Sequence, residues 1–312
     1  LDSLTRIILL HMVLITGFSS IEILGNGVVD LDPWVGKQMW IWELELAEKG
    51  VINNIITKAV SLGLTGLLVK AWDGKNYWNQ LDKIAGPAKN AGLIVGAWGY
   101  SYGNNISGEI KCMEKAVKGG ADWLIIDAET EYENQNGEKK AAALSGGISS
   151  STIMKNVKLG YSTFALPVYH AQFPYKRFSA FCDVALPQVY WGDFRMPPED
   201  ALKDCVQQYS QFGRPLAPVG QSYEIIRSGE IVRFIKIAGE LGVPGISFWS
   251  WQHASDVMLN EIKSLQCASA SPWAGASWNK AKLKGIMDGT EPQGNVTREM
   301  LAVVLDRLGL LQ

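Results

Sequence analysis

From Gly36 onward the hydrophobic positions of the chain alternate between two periods. Short apolar runs, continuous or with every second residue apolar, read as strands; longer stretches with a three-to-four spacing read as helices. The predicted strands are Lys37–Leu44, Gly66–Trp72, Leu93–Tyr100, Trp123–Glu129, Leu159–Phe164, Val184–Trp191, Leu216–Tyr223 and Gly245–Trp251. The predicted helices are Val51–Leu62, Gln80–Ala91, Ser107–Lys118, Glu138–Asn156, Tyr175–Phe181, Glu199–Phe212, Gly229–Leu241 and Asp256–Leu265. In the first helix Ile52, Ile55, Ile56, Ala59 and Val60 form one stripe, as a helix packed on a sheet requires. Gly63, Gly92, Gly119, Gly213 and Gly242 stand at helix ends, where a left-handed residue closes the last turn. Eight strands alternating with eight helices over about 230 residues predict an α/β fold, a (β/α)8 TIM barrel. The expected domain limits are 31–266 for the barrel, 1–30 for an N-terminal extension and 267–312 for a linker and a small helix–loop–helix appendage.

In the extension, Arg6 precedes an apolar run from Ile7 to Phe18, broken by His11 and Thr16. The run is too short to span a bilayer but has the length of a signal-peptide core, and no small-x-small cleavage site follows. A degenerate export signal and a buried N-terminal segment are equal alternatives. In the appendage, Ala268–Pro272 reads as a linker, and Thr297 caps a last helix with Leu301, Val304, Leu305 and Leu308 on one stripe. So small a unit must pack on the barrel, on a copy of itself, or on both.

A barrel of this kind places its chemistry at the C-terminal strand ends, and its interior is normally Val, Ile and Leu. Here those ends carry Trp40, Trp42, Glu43, Lys70, Trp72, Asp73, Trp98, Tyr100, Asp127, Glu129, Tyr161, Gln188, Tyr190, Trp191, Gln221, Tyr223, Trp249, Trp251 and His253. Aromatic and amide groups at so many strand ends suggest a sugar-binding cleft, with Trp40, Lys70, Trp72, Tyr161, Gln188, Gln221, Trp249 and Trp251 as candidate substrate contacts. The stretch Ala121–Glu133 begins apolar and ends in acids. Alternation puts Ile125, Asp127 and Glu129 on one face and Leu124, Ile126 and Ala128 on the other. Two acids at the end of a buried strand should have their proton affinities driven apart, and glycoside hydrolysis needs one acid protonated beside one ionised. The plainer alternative is a strand running out into solvent. Lys70 reads either as a sugar contact or as the counter-charge that keeps Asp127 or Glu129 ionised. Glu43, Glu131 and Glu133 read as solvated loop acids, and His170 and His253 as hydrogen-bonded structural residues.

A net charge of -2 offers no basic excess to neutralise phosphates, which argues against a nucleic-acid partner. Cys112, Cys182, Cys205 and Cys267 are scattered without metal-ligand spacing, and the three histidines form no cluster, so neither a zinc site nor a Ser-His-Asp triad is expected. No glycine-rich phosphate loop is present. No cofactor, metal or membrane partner is therefore expected.

The residues Asp122-Trp-Leu-Ile-Ile-Asp127-Ala-Glu129 resemble the strand-4 motif of family 18 chitinases, with Ile125 where that motif has another Asp. The Asp-x-Glu ending is also similar to family 25 lysozymes. Gln188-Val-Tyr190 resembles the chitinases' amide–Tyr element, with Trp191 where an Asp is usual, and Gly245–Trp251 resembles their strand-8 tryptophan floor. The resemblance implies a glycosidase acting on N-acetylated cell-wall polysaccharide, a muramidase or glucosaminidase of phage-lysin or autolysin type. In it Glu129 would be the acid/base, Asp127 would orient an acetamido group acting as nucleophile, Tyr190 would donate to the acetamide oxygen, and Trp249 or Trp251 would floor the site. The competing reading is a sugar-binding barrel without catalysis, a chitinase-like lectin. At the C-terminus Trp273-Ala274, Gly285–Gly289, Pro292 and Thr297-Arg298-Glu299 are similar to one S-layer homology motif. That resemblance implies a Gram-positive secondary wall polymer as a partner and an extracellular or cell-wall location.

Overall fold

The computed structural model of the protein describes residues 32–224 and 226–264. The segments predicted at 1–30 and 267–312 lie outside the described residues. Eight parallel strands are β1 (Gly36–Ile41), β2 (Gly66–Asp73), β4 (Ile94–Tyr100), β5 (Trp123–Asp127), β6 (Lys158–Phe164), β7 (Val184–Val189), β8 (Val219–Gln221) and β9 (Gly245–Trp249). They close into a barrel because β1 pairs with β2 on one side and β9 on the other. The short β3 (Asn76–Tyr77) folds back antiparallel on the end of β2. Helices follow the strands as the hydrophobic pattern predicts, so the chain is an α/β TIM barrel.

Each of the eight barrel strands is buried on both faces, and the two faces differ in what they bury. Outward residues such as Leu67, Val69, Val95, Ala97, Leu124 and Ile126 share a core with helix residues including Ile55, Ala59, Ile84, Ala88, Met113 and Leu144. Inward residues form a second cluster of Trp40, Leu68, Trp98, Trp123, Ile125, Val184, Leu186 and Val219. Indoles thus occupy space that branched aliphatics usually fill. The missing side chains of two inward glycines make room for them. A Cβ on Gly96 would stand 2.7 Å from the Trp123 indole nitrogen, and one on Gly160 3.0 Å from the same ring.

Several elements are shorter than the pattern predicts, each for a local reason. Strand β8 keeps only Val219–Gln221, with Leu216 making an isolated bridge to Ala185. Pro215 and Pro218 flank that bridge and have no N–H for a ladder. The helix expected to reach Asn156 stops at Ser150, before Ser151 and Thr152, whose hydroxyls compete for backbone groups. Strand β7 ends at Val189, and Trp191 opens a short helix to Phe194. Strand β9 ends at Trp249, which is joined to Ser250 by a cis peptide, and Trp251 begins a 3-10 turn. The hairpin that forms β3 has no counterpart in the expected elements.

Candidate active site

Strand β5 delivers the acids. Its alternation continues past its last residue: Ala128 joins the outer core while Asp127 and Glu129 share hydrogen bonds with Gln188. The Gln188 side-chain nitrogen, from β7, donates to Glu129 Oε1 at 2.8 Å and to Asp127 Oδ1 at 3.2 Å. Ser162 Oγ of β6 lies 3.2 Å from the same nitrogen, and Ser162 stands opposite Asp127 in the strand register. One amide therefore ties two carboxylates and a hydroxyl into a single polar cluster.

Asp127 is only 6% exposed. Burial first, then the adjacent Glu129 carboxylate, push its pKa well above the ordinary range, against the pull of Lys70 and a Ser162 hydrogen bond. Burial likewise raises the pKa of Glu129, which the Gln188 bond lowers and Glu131 raises. A pair of this kind retains a proton where ordinary carboxylates have lost theirs. Such a pair can donate a proton from one member while the other carries charge, the requirement read from the sequence.

Glu131 is not the solvated loop acid expected. The Tyr100 hydroxyl donates to its Oε2 at 2.5 Å, and Thr130 Oγ1 lies 3.4 Å from the same oxygen. Burial, the Glu131 hydrogen bond and the carboxylates of Glu129, Glu131 and Asp127 all push the Tyr100 pKa upward, so Tyr100 stays a neutral donor. Glu133 is not free either: His170 Nδ1 lies 3.0 Å from its Oε2, and the His170 ring stacks on Phe164. Glu43 is exposed, as expected of a loop acid. Ser250 Oγ lies 2.7 Å from His253 Nδ1.

Strands β1, β4 and β9 bring together a cluster of indoles. Trp40, Trp98 and Trp249 meet edge to face with centroids 5.2 to 5.7 Å apart, and Trp42 stacks on Trp249 at 6.1 Å. Trp40 and Trp98 are buried, whereas Trp42 and Trp249 keep exposed surface. The Trp42 indole nitrogen is buried without a hydrogen-bond partner among the described residues. Lys70, from β2, points into this aromatic wall. Its Nζ lies 4.5, 5.1 and 5.6 Å from the ring centroids of Trp78, Trp98 and Trp42, and 2.7 Å from Asp73 Oδ2. The Tyr102 hydroxyl donates to the other Asp73 oxygen at 2.9 Å. Tyr190, partly exposed, packs edge to face on Tyr223, whose hydroxyl donates to Asp193 at 2.5 Å. Burial and the carboxylates of Asp127 and Glu129 raise the Tyr190 pKa well above the usual phenol range, which keeps it protonated beside them.

Of the residues singled out from the sequence, the structure gathers Asp127, Glu129, Gln188, Tyr190, Lys70, Trp40 and Trp249 at the barrel mouth or directly beneath it. Gln221 is also turned inward but is 1% exposed, its oxygen accepting from Gly192 N–H at 2.8 Å. Three assignments are corrected. Trp72 follows a bulge at Ala71 that shifts the register between Lys70 and Trp72, so its indole turns outward into the helix-facing core. Tyr161 alternates with inward Gly160 and Ser162, lies outside the barrel against Phe178, and pairs its hydroxyl with Ser179 at 2.8 Å. Trp251, past the strand end, is buried in the outer core with its nitrogen 3.2 Å from Glu48. Ser162 and Trp78 are absent from the sequence-based expectations, and Glu131 enters them only as a solvated loop acid. Alternation with Leu159 and Tyr161, which face outward, marks Ser162 as inward; no pattern announces Trp78, which the β3 hairpin brings in. Among the described residues, no group of three or more His, Cys, Asp or Glu side chains is arranged to hold a metal ion.

No family model matches the sequence, and no curated protein does. Solved structures resemble the fold. The endo-β-1,4-mannanase of Thermotoga petrophila superposes with a TM-score of 0.56 at 10% identity, covering 74% of this chain and 76% of its own. A chitinase from Chromobacterium violaceum gives 0.56 at 9% identity, with 73% and 98% covered. The spore cortex-lytic enzyme SleL of Bacillus megaterium gives 0.52 at 11% identity, with 73% of each chain covered. At these identities the likeness establishes the architecture: the protein is a (β/α)8 barrel of the kind these polysaccharide-degrading enzymes share. Function has to come from the site.

Proposed function

We propose that the protein is a glycoside hydrolase that cleaves N-acetylated cell-wall polysaccharide, with Glu129 as general acid and base. The observation that carries the reading is the Asp127–Glu129 pair, the first acid buried and the second half-buried, bridged by the Gln188 amide in a barrel whose strands also bring a cluster of indoles together. A sugar ring stacked on Trp249 would present its polar edge to the acids. The mannanase, chitinase and cortex-lytic enzyme among the similar structures support a polysaccharide substrate. Presence of the acid at position 129 favours catalysis over a sugar-binding barrel without turnover.

The nucleophile in this reading is the substrate's own acetamido group. The ends of β7, β8 and β9 carry Gln188, Gln221 and Trp249, so these strands supply amides and an indole where a two-carboxylate mechanism needs a second acid. Glu129 protonates the glycosidic oxygen; Asp127 orients the acetamide N–H and balances charge on the cyclic intermediate; the Tyr190 hydroxyl donates to the acetamide oxygen. The secondary wall polymer as a partner of residues 267–312, and an extracellular or cell-wall location, belong to the same proposal.

Thiazoline analogues of the cyclic intermediate are expected to inhibit, and polymers lacking the acetamide to resist cleavage. The measurement is product release from peptidoglycan, chitin oligomers and a plain β-glucan, followed by mass analysis. Hydrolysis of the plain glucan at a comparable rate would exclude substrate assistance and point to a carboxylate nucleophile.

A further inference from the structure

Two glutamines outside the site described above grip the main chain of Trp42, the indole that stacks on Trp249. We propose that Gln80 and Gln252 are positioning residues: they fix Trp42 against Trp249 and so set the indole surface offered to a bound sugar. The sugar-binding consequence rests on the hydrolase reading above; the fixing of Trp42 does not.

Strand pairing stops just short of Trp42. The β1–β2 ladder ends at the Ile41–Val69 pair and the β1–β9 ladder at Met39–Phe248, so Trp42 stands beyond the last pair on both sides. Continued by one residue, the first ladder would set Trp42 opposite Lys70, and Gln80 bridges these two. Its amide nitrogen donates to the Trp42 carbonyl at 2.6 Å and to the Lys70 carbonyl at 2.9 Å. Its oxygen accepts from the Leu44 N–H at 2.9 Å. Both N–H groups and the oxygen of one amide are thus engaged, and the amide cannot turn over without setting like groups against each other. Gln80 opens the helix Gln80–Asn90, just after the hairpin that brings Trp78 to Lys70. From the other side Gln252, in the turn after β9, accepts from the Trp42 N–H at 3.3 Å.

Ring contacts alone would leave Trp42 free to tilt. It meets Trp249 at 6.1 Å and 30°, and its neighbour His253, at 6.3 Å and 52°, is itself exposed. Hydrogen bonds are directional where ring packing is not, and here they hold the carbonyl and the N–H of the residue that carries the ring. The same Gln80 amide holds the main chain of Lys70, whose ammonium lies 5.6 Å from the Trp42 ring centroid, so one side chain spaces ring and cation together. The acids take their hydrogen bonds from Gln188 and Ser162, on other strands. Loosening Trp42 therefore weakens the hold on a sugar without touching the proton transfer, a change in KM rather than in kcat.

The test is fluorine NMR of the full chain labelled with fluorotryptophan, the Trp42 resonance being assigned by its loss in Trp42→Phe; no substrate is needed. Gln80→Met and Gln252→Met are expected to shift and broaden this resonance while the resonances of the more distant indoles stay in place. Gln252→Glu, which keeps the acceptor and gives up a buried nitrogen that has no partner among the described residues, is expected to restore it. On soluble N-acetylated oligomers Gln80→Met should raise KM about fivefold and Gln252→Met less, with kcat within about twofold of the wild type. Should Gln80→Met fail to fold, Gln252→Met, which removes a single bond, carries the test. Folded Met variants with the wild-type Trp42 resonance would overturn the proposal, and so would a fall in kcat at unchanged KM. A wild-type protein that cleaves no polymer while the Trp42 resonance shifts as expected would remove the hydrolase reading and leave the positioning of Trp42 standing.

Discussion

Replacing Glu129 with Gln is expected to lower turnover on N-acetylated polymer a hundredfold or more, the scale of losing a general acid, with no loss of stability. The amide is nearly isosteric with the acid and can still face the Gln188 side chain, so the local packing survives. What it cannot do is give a proton to the leaving oxygen. Stability should hold or increase, because the carboxyl's pKa is raised by burial: the folded protein resists charging this group. The sign follows from proton linkage. A carboxyl whose folded pKa exceeds its unfolded one is neutral at no cost at low pH, and stability falls as pH rises through that interval. Above it, removing the charge relieves the fold. Asp127→Asn should act the same way on stability and less severely on rate. Initial rates on soluble oligomers and melting temperatures at pH 5 and pH 8 check both; full turnover by Glu129→Gln would eliminate Glu129 as the acid.

The second large effect is one of stability. Trp72→Ala is expected to cost about 3–5 kcal/mol, as large-to-small changes at buried aromatics do. At a few degrees per kcal/mol, the melting temperature would fall by on the order of 10 °C. Trp72 is fully buried, and its ring fills the space above Gly99, where an added Cβ would lie 2.1 Å from it. Its indole nitrogen has no hydrogen-bond partner among the described residues, so Trp72→Phe gives up an unpaired donor and should be far milder. KM for soluble oligomers should stay near the wild-type value in both variants. A raised KM at unchanged melting temperature would return Trp72 to the sugar.

Trp72 also marks where sequence reading stops. The barrel was legible because its evidence is repetitive: the same strand-and-helix period recurs around the ring, so one misread end leaves the others intact. The acids were legible for a similar reason, since alternation within one short strand fixes Asp127 and Glu129 on the same face without knowledge of any other strand. Trp72 shares its predicted parity with Lys70, and a single-residue bulge reverses it. Nothing in the local pattern announces a bulge, because it is settled by pairing with β4 and by the room above Gly99. Trp251 failed through chain direction after the strand end, which periodicity does not describe. Tyr161 is different: strict alternation with Gly160 and Ser162 already places it outside, and chemical appeal outweighed parity. Glu131 looked solvated because its partner, Tyr100, lies 31 residues earlier.

The three edge-to-face indoles of Trp40, Trp98 and Trp249 have an optical consequence. Chromophores held this close at fixed, non-parallel angles exchange excitation and couple their transitions, so the cluster absorbs and emits as a unit with a chiral near-ultraviolet signature. Two of the rings are shut inside the barrel, while Trp249 is open to the mouth. Excitation gathered by the hidden pair can therefore leave through the one ring a bound sugar would cover, and the protein carries its own occupancy gauge, readable without any label.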